Sequence, residues 1–138
     1  MCDERLIQEI FSERNEEIDI WKFDLGELPR LPKALKKLEC GKNQLKHLPR
    51  LPDGLEVLNC SVNQLKYLPD LPEGLIELNC SYNDLTELPY LPEGLQELEC
   101  DCNPFPEDLQ KIIDENERDL TTLIRLINEY NGYIVSNQ

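Results

Sequence analysis

The feature that most constrains this chain is a strict 20-residue period. Leu35, Leu38, Cys40, Asn43, Leu45, Leu48, Pro49, Leu51 and Pro52 recur as Leu55, Leu58, Cys60, Asn63, Leu65, Leu68, Pro69, Leu71 and Pro72. They recur again as Leu75, Leu78, Cys80, Asn83, Leu85, Leu88, Pro89, Leu91 and Pro92. A fourth block opens with Leu95, Leu98, Cys100 and Asn103 and then diverges at Pro104-Phe105-Pro106. A degenerate block precedes them: Ile18, Ile20, Phe23, Leu25, Leu28, Pro29, Leu31 and Pro32, with Phe23 where Asn would stand. Self-similarity at such a period means one supersecondary unit stacked on copies of itself, because a lone unit cannot bury its apolar face.

Within each block the Leu and Cys two apart (38 and 40, 58 and 60, 78 and 80, 98 and 100) carry the period of a short strand. Identical register on successive turns predicts parallel strands about 4.8 Å apart. The return half of each turn reads Leu-Pro-x-Leu-Pro. Two prolines in four residues remove backbone donors and fix φ, which forbids a helix and favours a thin polyproline II path. Twenty residues hold no strand plus crossover helix, so period and prolines agree.

The pattern L-x-x-L-x-C-x-x-N-x-L-x-x-L-P-x-L-P resembles the leucine-rich repeat family, at its short end. The resemblance covers residues 15–105, with eight or nine positions in register across three consecutive blocks. It looks like the proline-rich, 20-residue class of bacterial type III effectors, and similar Cys-containing versions occur in large DNA viruses of amoebae. The resemblance implies a right-handed solenoid with a concave parallel sheet, used mainly for protein binding. Effectors of this class often carry a separate ubiquitin-ligase domain after the repeats. A 138-residue chain has no room for one, and that activity is not expected.

The expected organisation is one domain, residues 1–138: a cap helix in 1–14, about five repeats in 15–105 and a helical cap in 106–138. Asp3 is placed to cap a first helix with Leu6, Ile7, Ile10 and Phe11 on one stripe. Pro106-Glu107-Asp108 suits a first helical turn before Leu109, Ile112 and Ile113. A further helix over about 117–131 would face inward with Leu120, Leu123, Ile124, Ile127 and Tyr130, and Gly132 would end it.

Composition narrows the function classes. Fourteen Lys and Arg against 28 Asp and Glu give a net charge of −14, which disfavours nucleic acid and anionic membrane as partners. The longest apolar run is the three residues Tyr133-Ile134-Val135, too short to span a bilayer. The charged start, Met1-Cys2-Asp3-Glu4-Arg5, lacks the apolar stretch of a secretory leader, so a reducing cytoplasm with six free thiols is expected.

Cys40, Cys60, Cys80 and Cys100 would line the interior, one per turn. Zinc needs four ligands converging tetrahedrally, whereas a linear stack among leucines offers no centre. Small buried hydrophobes are the better reading, and no metal or cofactor is expected. Asn43, Asn63, Asn83 and Asn103 repeat on every turn, which suits a structural ladder of amides bonded to backbone. His47, the only histidine, occupies a variable position shared with Tyr67 and Glu87. It reads as a surface residue, no catalytic set forms around it, and enzymatic activity is not expected.

Function in a solenoid is written on outward positions that vary between turns. Along the concave face these are Lys37, Glu39, Gly41 and Lys42; then Val57, Asn59, Ser61 and Val62; then Glu77, Asn79, Ser81 and Tyr82; then Glu97, Glu99, Asp101 and Cys102. The face grades from basic to acidic. Solvated polar strands would explain it. A protein-binding strip of Val57, Asn59, Val62, Glu77, Asn79, Tyr82, Glu97, Glu99 and Asp101, taking a partner with a basic patch, explains it too. The early lysines (Lys36, Lys37, Lys42, Lys46) against the late carboxylates also fit a self-associating assembly subunit, so a monomer or weak homodimer is expected.

Overall fold

A computed structural model describes the backbone of residues 4–136 and the side chains of residues 4–132. Asp3 and Cys2 lie outside the described residues. Helix α1 spans Glu4–Ile10, followed by five three-residue strands: β1 Glu17–Asp19, β2 Lys37–Glu39, β3 Val57–Asn59, β4 Glu77–Asn79 and β5 Glu97–Glu99. Helices α2, Glu107–Glu115, and α3, Leu120–Ser136, close the chain. The strands form one parallel sheet in sequence order, each paired with the next at a register step of 20: Ile18↔Leu38, Leu38↔Leu58, Leu58↔Leu78, Leu78↔Leu98.

Every turn follows the same path. The central strand residue and the following Cys point inward, and Leu38, Leu58, Leu78, Cys40, Cys60 and Cys80 are fully buried. The extended Leu-Pro-x-Leu-Pro segment returns the chain, with no helix among the described residues between β1 and α2. A tight turn then closes each coil, with Leu35, Leu55, Leu75 and Leu95 N–H donating to the carbonyls of Pro32, Pro52, Pro72 and Pro92 at 3.1–3.2 Å. One continuous leucine core results. Burying each such side chain is worth about 1.5–3 kcal/mol, realised only when a neighbouring turn covers it.

The ends differ from each other. α1 buries none of its residues, and Leu6 is exposed. The stripe expected there is therefore half-seated: Ile10 and Phe11 pack on the core, while the short helix cannot reach far enough to cover Leu6. At the other end Leu109, Ile113, Leu123, Ile124 and Ile127 are buried. Asp119 caps α3, accepting Thr122 N–H at 3.2 Å and Thr122 Oγ1–H at 2.7 Å, so the helix starts later than residue 117. These bonds hold the Asp119 carboxyl below its ordinary value.

Gly132 does not end α3, which continues to Ser136. A glycine stops a helix by entering the left-handed region, and no described glycine has positive φ. Two asparagines of α3 clasp the last proline segment. Asn128 accepts Leu91 N–H at 2.8 Å and donates to Leu91 C=O at 2.9 Å, and Asn131 donates to Leu88 C=O at 2.9 Å.

Candidate functional site

Much of the repeat is consumed by holding the coil together. Each ladder asparagine spans two turns. Asn83 Nδ2 donates to Cys60 C=O (3.0 Å), Cys80 C=O (3.1 Å) and Ser81 C=O (3.3 Å), while Oδ1 accepts Leu65 N–H at 3.0 Å. Asn63 repeats this set on Cys40, Cys60, Ser61 and Leu45. Asn43 donates to Ile20, Cys40 and Gly41, and Asn103 donates to Cys80, Cys100 and Asp101. Among the described residues no buried side-chain polar atom lacks a partner.

Cys40, Cys60, Cys80 and Cys100 are buried free thiols, and Cys102 is an exposed one. Burial pushes Cys40 and Cys100 up to about 12, with Glu39 adding to the first and Asp101 to the second. Cys60 and Cys80 rise further by burial and by the neighbouring thiols.

The outward positions divide into three columns, and the structure corrects two. Gly41, Ser61 and Ser81, read above as facing outward, are buried. Asn59 Oδ1 accepts Ser61 N–H at 3.1 Å and Ser61 Oγ–H at 2.8 Å; Asn79 does the same for Ser81 at 3.1 and 2.6 Å. These local rings fold the serines inward and half-bury both asparagines. Gly41 lies under the Trp21 ring, where a Cβ would run into Trp21 Cζ3 and Cε3. Lys42 Nζ sits 5.5 Å from the centre of the same ring. Trp21 was missed from sequence, although the lone tryptophan one repeat before a glycine was a readable signal.

Val62 and Tyr82 are also relocated. They lie beyond the strands, in the bend that follows, with φ of 55° and 56°. Lys22, Lys42 and Cys102 share this left-handed conformation at 61°, 51° and 56°. At Lys42, Val62 and Tyr82 it brings the N–H to the carbonyls of Ser61, Ser81 and Asp101 in the neighbouring turn at 2.9–3.0 Å. The result is a ridge of side chains aimed outward, with Val62 39% and Tyr82 58% exposed. Hydrogen bonding with Cys102, then the charges of Cys102 and Asp101, hold the Tyr82 phenol above its ordinary value.

Beside the ridge, Glu97, Glu99 and Asp101 are exposed, and Val57 and Glu77 are half-buried. Asn79 Nδ2 donates to Glu99 Oε2 at 2.9 Å, tying two turns together. At the basic end Lys37 Nζ meets Glu39 Oε1 at 3.9 Å. His47 is exposed on the flank.

Neither a protein-family model nor a curated protein matches the sequence. Solved structures do. YopM from Yersinia enterocolitica WA-314 is 42% identical over 61% of this chain and 19% of its own, with TM-score 0.58. A Shigella effector LRR domain is 32% identical over 73% of this chain and 56% of its own, with TM-score 0.63. The protein is a leucine-rich repeat solenoid that resembles these bacterial effector domains. The leucine-rich repeat chain thus spans a fifth of one relative and just over half of the other. Among its described residues no helix is long and apolar enough to cross a membrane.

Proposed function

We propose that the protein is a non-enzymatic binding module whose concave strip takes a partner carrying a basic patch. The strip consists of Val57, Asn59, Val62, Glu77, Asn79, Tyr82, Glu97, Glu99 and Asp101. One observation carries the reading: Val62 and Tyr82 stand exposed on consecutive turns, in a backbone conformation unfavourable for both, against a row of carboxylates. Lys22, Lys42 and Cys102 share that backbone conformation, so it belongs to the repeat, and the exposure of Val62 and Tyr82 beside the carboxylates is what supports the reading. Tyr anchors contacts well because it buries much area with few rotatable bonds. The nearby carboxylates speed encounter with a cationic surface, and screening over about 8 Å at physiological salt weakens that steering. The likeness to effector repeat domains supports a protein-interaction role, and a reducing host cytoplasm is the compartment that fits the free thiols.

The test is affinity capture from candidate host lysates, then direct titration of the captured protein. Tyr82→Ala is expected to weaken the complex without lowering the melting temperature. Glu99→Lys is expected to slow association and flatten its salt dependence. A Tyr82→Ala/Glu99→Lys double variant that binds as tightly as wild type would refute the strip and move the interface to the helices.

A further inference from the structure

The solenoid ends on an open sheet edge. Around β4, Ile76 C=O accepts Gln96 N–H at 2.7 Å, Cys80 N–H donates to Glu99 C=O at 2.8 Å, and Tyr82 N–H donates to Asp101 C=O at 2.9 Å. The equivalents one turn later are Gln96 C=O, Cys100 N–H and Cys102 N–H, and among the described residues no further strand pairs with β5. The end helices seal the core but leave this edge uncovered: Leu98 is half-exposed, whereas Leu58 and Leu78 are 1% exposed. Glu97 and Glu99 flank Leu98 and are both exposed. Glu97 is also paired across the sheet with Glu77, a like-charge rung that a neighbouring cation would relieve.

From these features we propose that β5 accepts an extended segment of a partner protein as a sixth parallel strand, with Lys or Arg opposite Glu97 and Glu99 and an apolar residue over Leu98. The backbone groups supply affinity and the alternating side chains supply selection. The sheet holds one such rung already, since Lys37 of β2 is the register partner of Glu17. A second copy of this chain is the wrong occupant. Continuing the 20-residue register with its β1 would set Glu17 against Glu97 and Asp19 against Glu99, so like charges would face each other across a head-to-tail junction. The inference shares Glu97, Glu99 and the partner's charge with the concave-strip reading, and differs in using Leu98 and the backbone groups of the last turn in place of Val62 and Tyr82.

The experiment titrates the full chain with an acetylated, amidated hexapeptide, S-K-L-K-V-S, following peptide anisotropy and amide hydrogen exchange. Binding is expected to slow exchange at Cys100 and Cys102 by on the order of tenfold or more, as ladder formation does. Methylating the peptide nitrogens of its first serine and first lysine, the two donors to Gln96 C=O, is expected to abolish binding while leaving every charge in place. Glu97→Lys/Glu99→Lys should abolish it too, and Tyr82→Ala should leave it unchanged, so failure of the strip and failure of the edge are told apart. Equal binding of the methylated peptide, or binding without protection at Cys100 and Cys102, would reduce the effect to surface charge and overturn strand addition. No binding overturns it as well. So does protection of the two amides without peptide and in proportion to protein concentration, which would mean that a second copy fills the edge.

Discussion

The asparagine ladder makes a quantitative prediction about additivity. Asn83→Ala removes four hydrogen bonds, yet three of the backbone groups involved keep a second partner. Cys60 C=O still accepts from Asn63 at 3.1 Å, Cys80 C=O from Asn103 at 3.1 Å, and Ser81 C=O from Val62 N–H at 3.0 Å. Only Leu65 N–H, bonded to Asn83 Oδ1 alone, is stranded in the core. A buried donor left without a partner costs about 1–3 kcal/mol, and that is the expected loss for the single variant. Asn63→Ala strands Leu45 N–H in the same way and should cost a similar amount. The double variant differs in kind, because Cys60 C=O then loses both its donors, Asn63 and Asn83. Its loss should exceed the sum of the singles by about another 1–3 kcal/mol.

A double-mutant cycle measured by urea unfolding reads this directly, with an osmolyte present to keep the weakest member folded. Amide exchange at Leu65 should accelerate in Asn83→Ala even where the global midpoint moves little. Strict additivity of the two substitutions would show that the shared carbonyl carries no energy. A single variant with the wild-type midpoint would refute the ladder itself.

Other perturbations address the thiols, the tryptophan and the ridge. Thiol labelling of the native protein should modify exposed Cys102 well ahead of Cys40, Cys60, Cys80 and Cys100, for which rapid labelling would require an open core. Because burial raises the four thiols, the unfolded chain loses their protons first, so stability should fall as pH rises from the ordinary thiol value of 9.0 toward about 12. Thermal melts across that window test the sign, and a flat profile would contradict the burial. Gly41→Ala should expel the Trp21 ring and shift its fluorescence to the red, while unchanged emission would mean the ring is not seated on Gly41. Val62→Gly should leave the denaturation midpoint unchanged or raise it, since a left-handed L-residue costs about 1–2 kcal/mol and glycine's extra unfolded entropy about 0.5–1 kcal/mol. Val57→Gly, at a strand position, should lower it, and a comparable drop in both would refute the strain.

The parts legible in the sequence were those the 20-residue period repeats. Leu38 and Cys40 face inward for the same reason as Leu58 and Cys60, and a strict register leaves parallel pairing as the way to stack them. Backbone handedness was not legible. Lys42, Val62 and Tyr82 share no preference for positive φ, and what they share is an N–H that meets a carbonyl of the turn beside them, a tertiary contact. Ser61 and Ser81 turned inward because asparagines two residues earlier capture both their N–H and hydroxyl groups, a local trade between polar partners that alternation alone does not reveal. Gly132 misled because glycine permits a helix end without compelling one, and α3 had asparagines clasping the last turn to hold it in place.

That division of labour bears on where specificity can reside. Leu, Cys and Asn at the repeated positions are committed to the core and the ladder, so substitution there is paid in stability. Of the outward columns, the one through Gly41, Ser61 and Ser81 is buried, and the strand column through Asn59 and Asn79 is half-committed to those serines. The ridge through Val62 and Tyr82 is held by main-chain groups alone, N–H to carbonyl, whatever side chain it carries. Its side chains are therefore the ones free to change without loosening the coil, and on this chain they run from lysine through valine to tyrosine. A surface in which the backbone fixes the direction and leaves the chemistry open can acquire a new partner by substitution at the ridge, and in the strip proposed above Glu97, Glu99 and Asp101 would set the sign of the charge that approaches it.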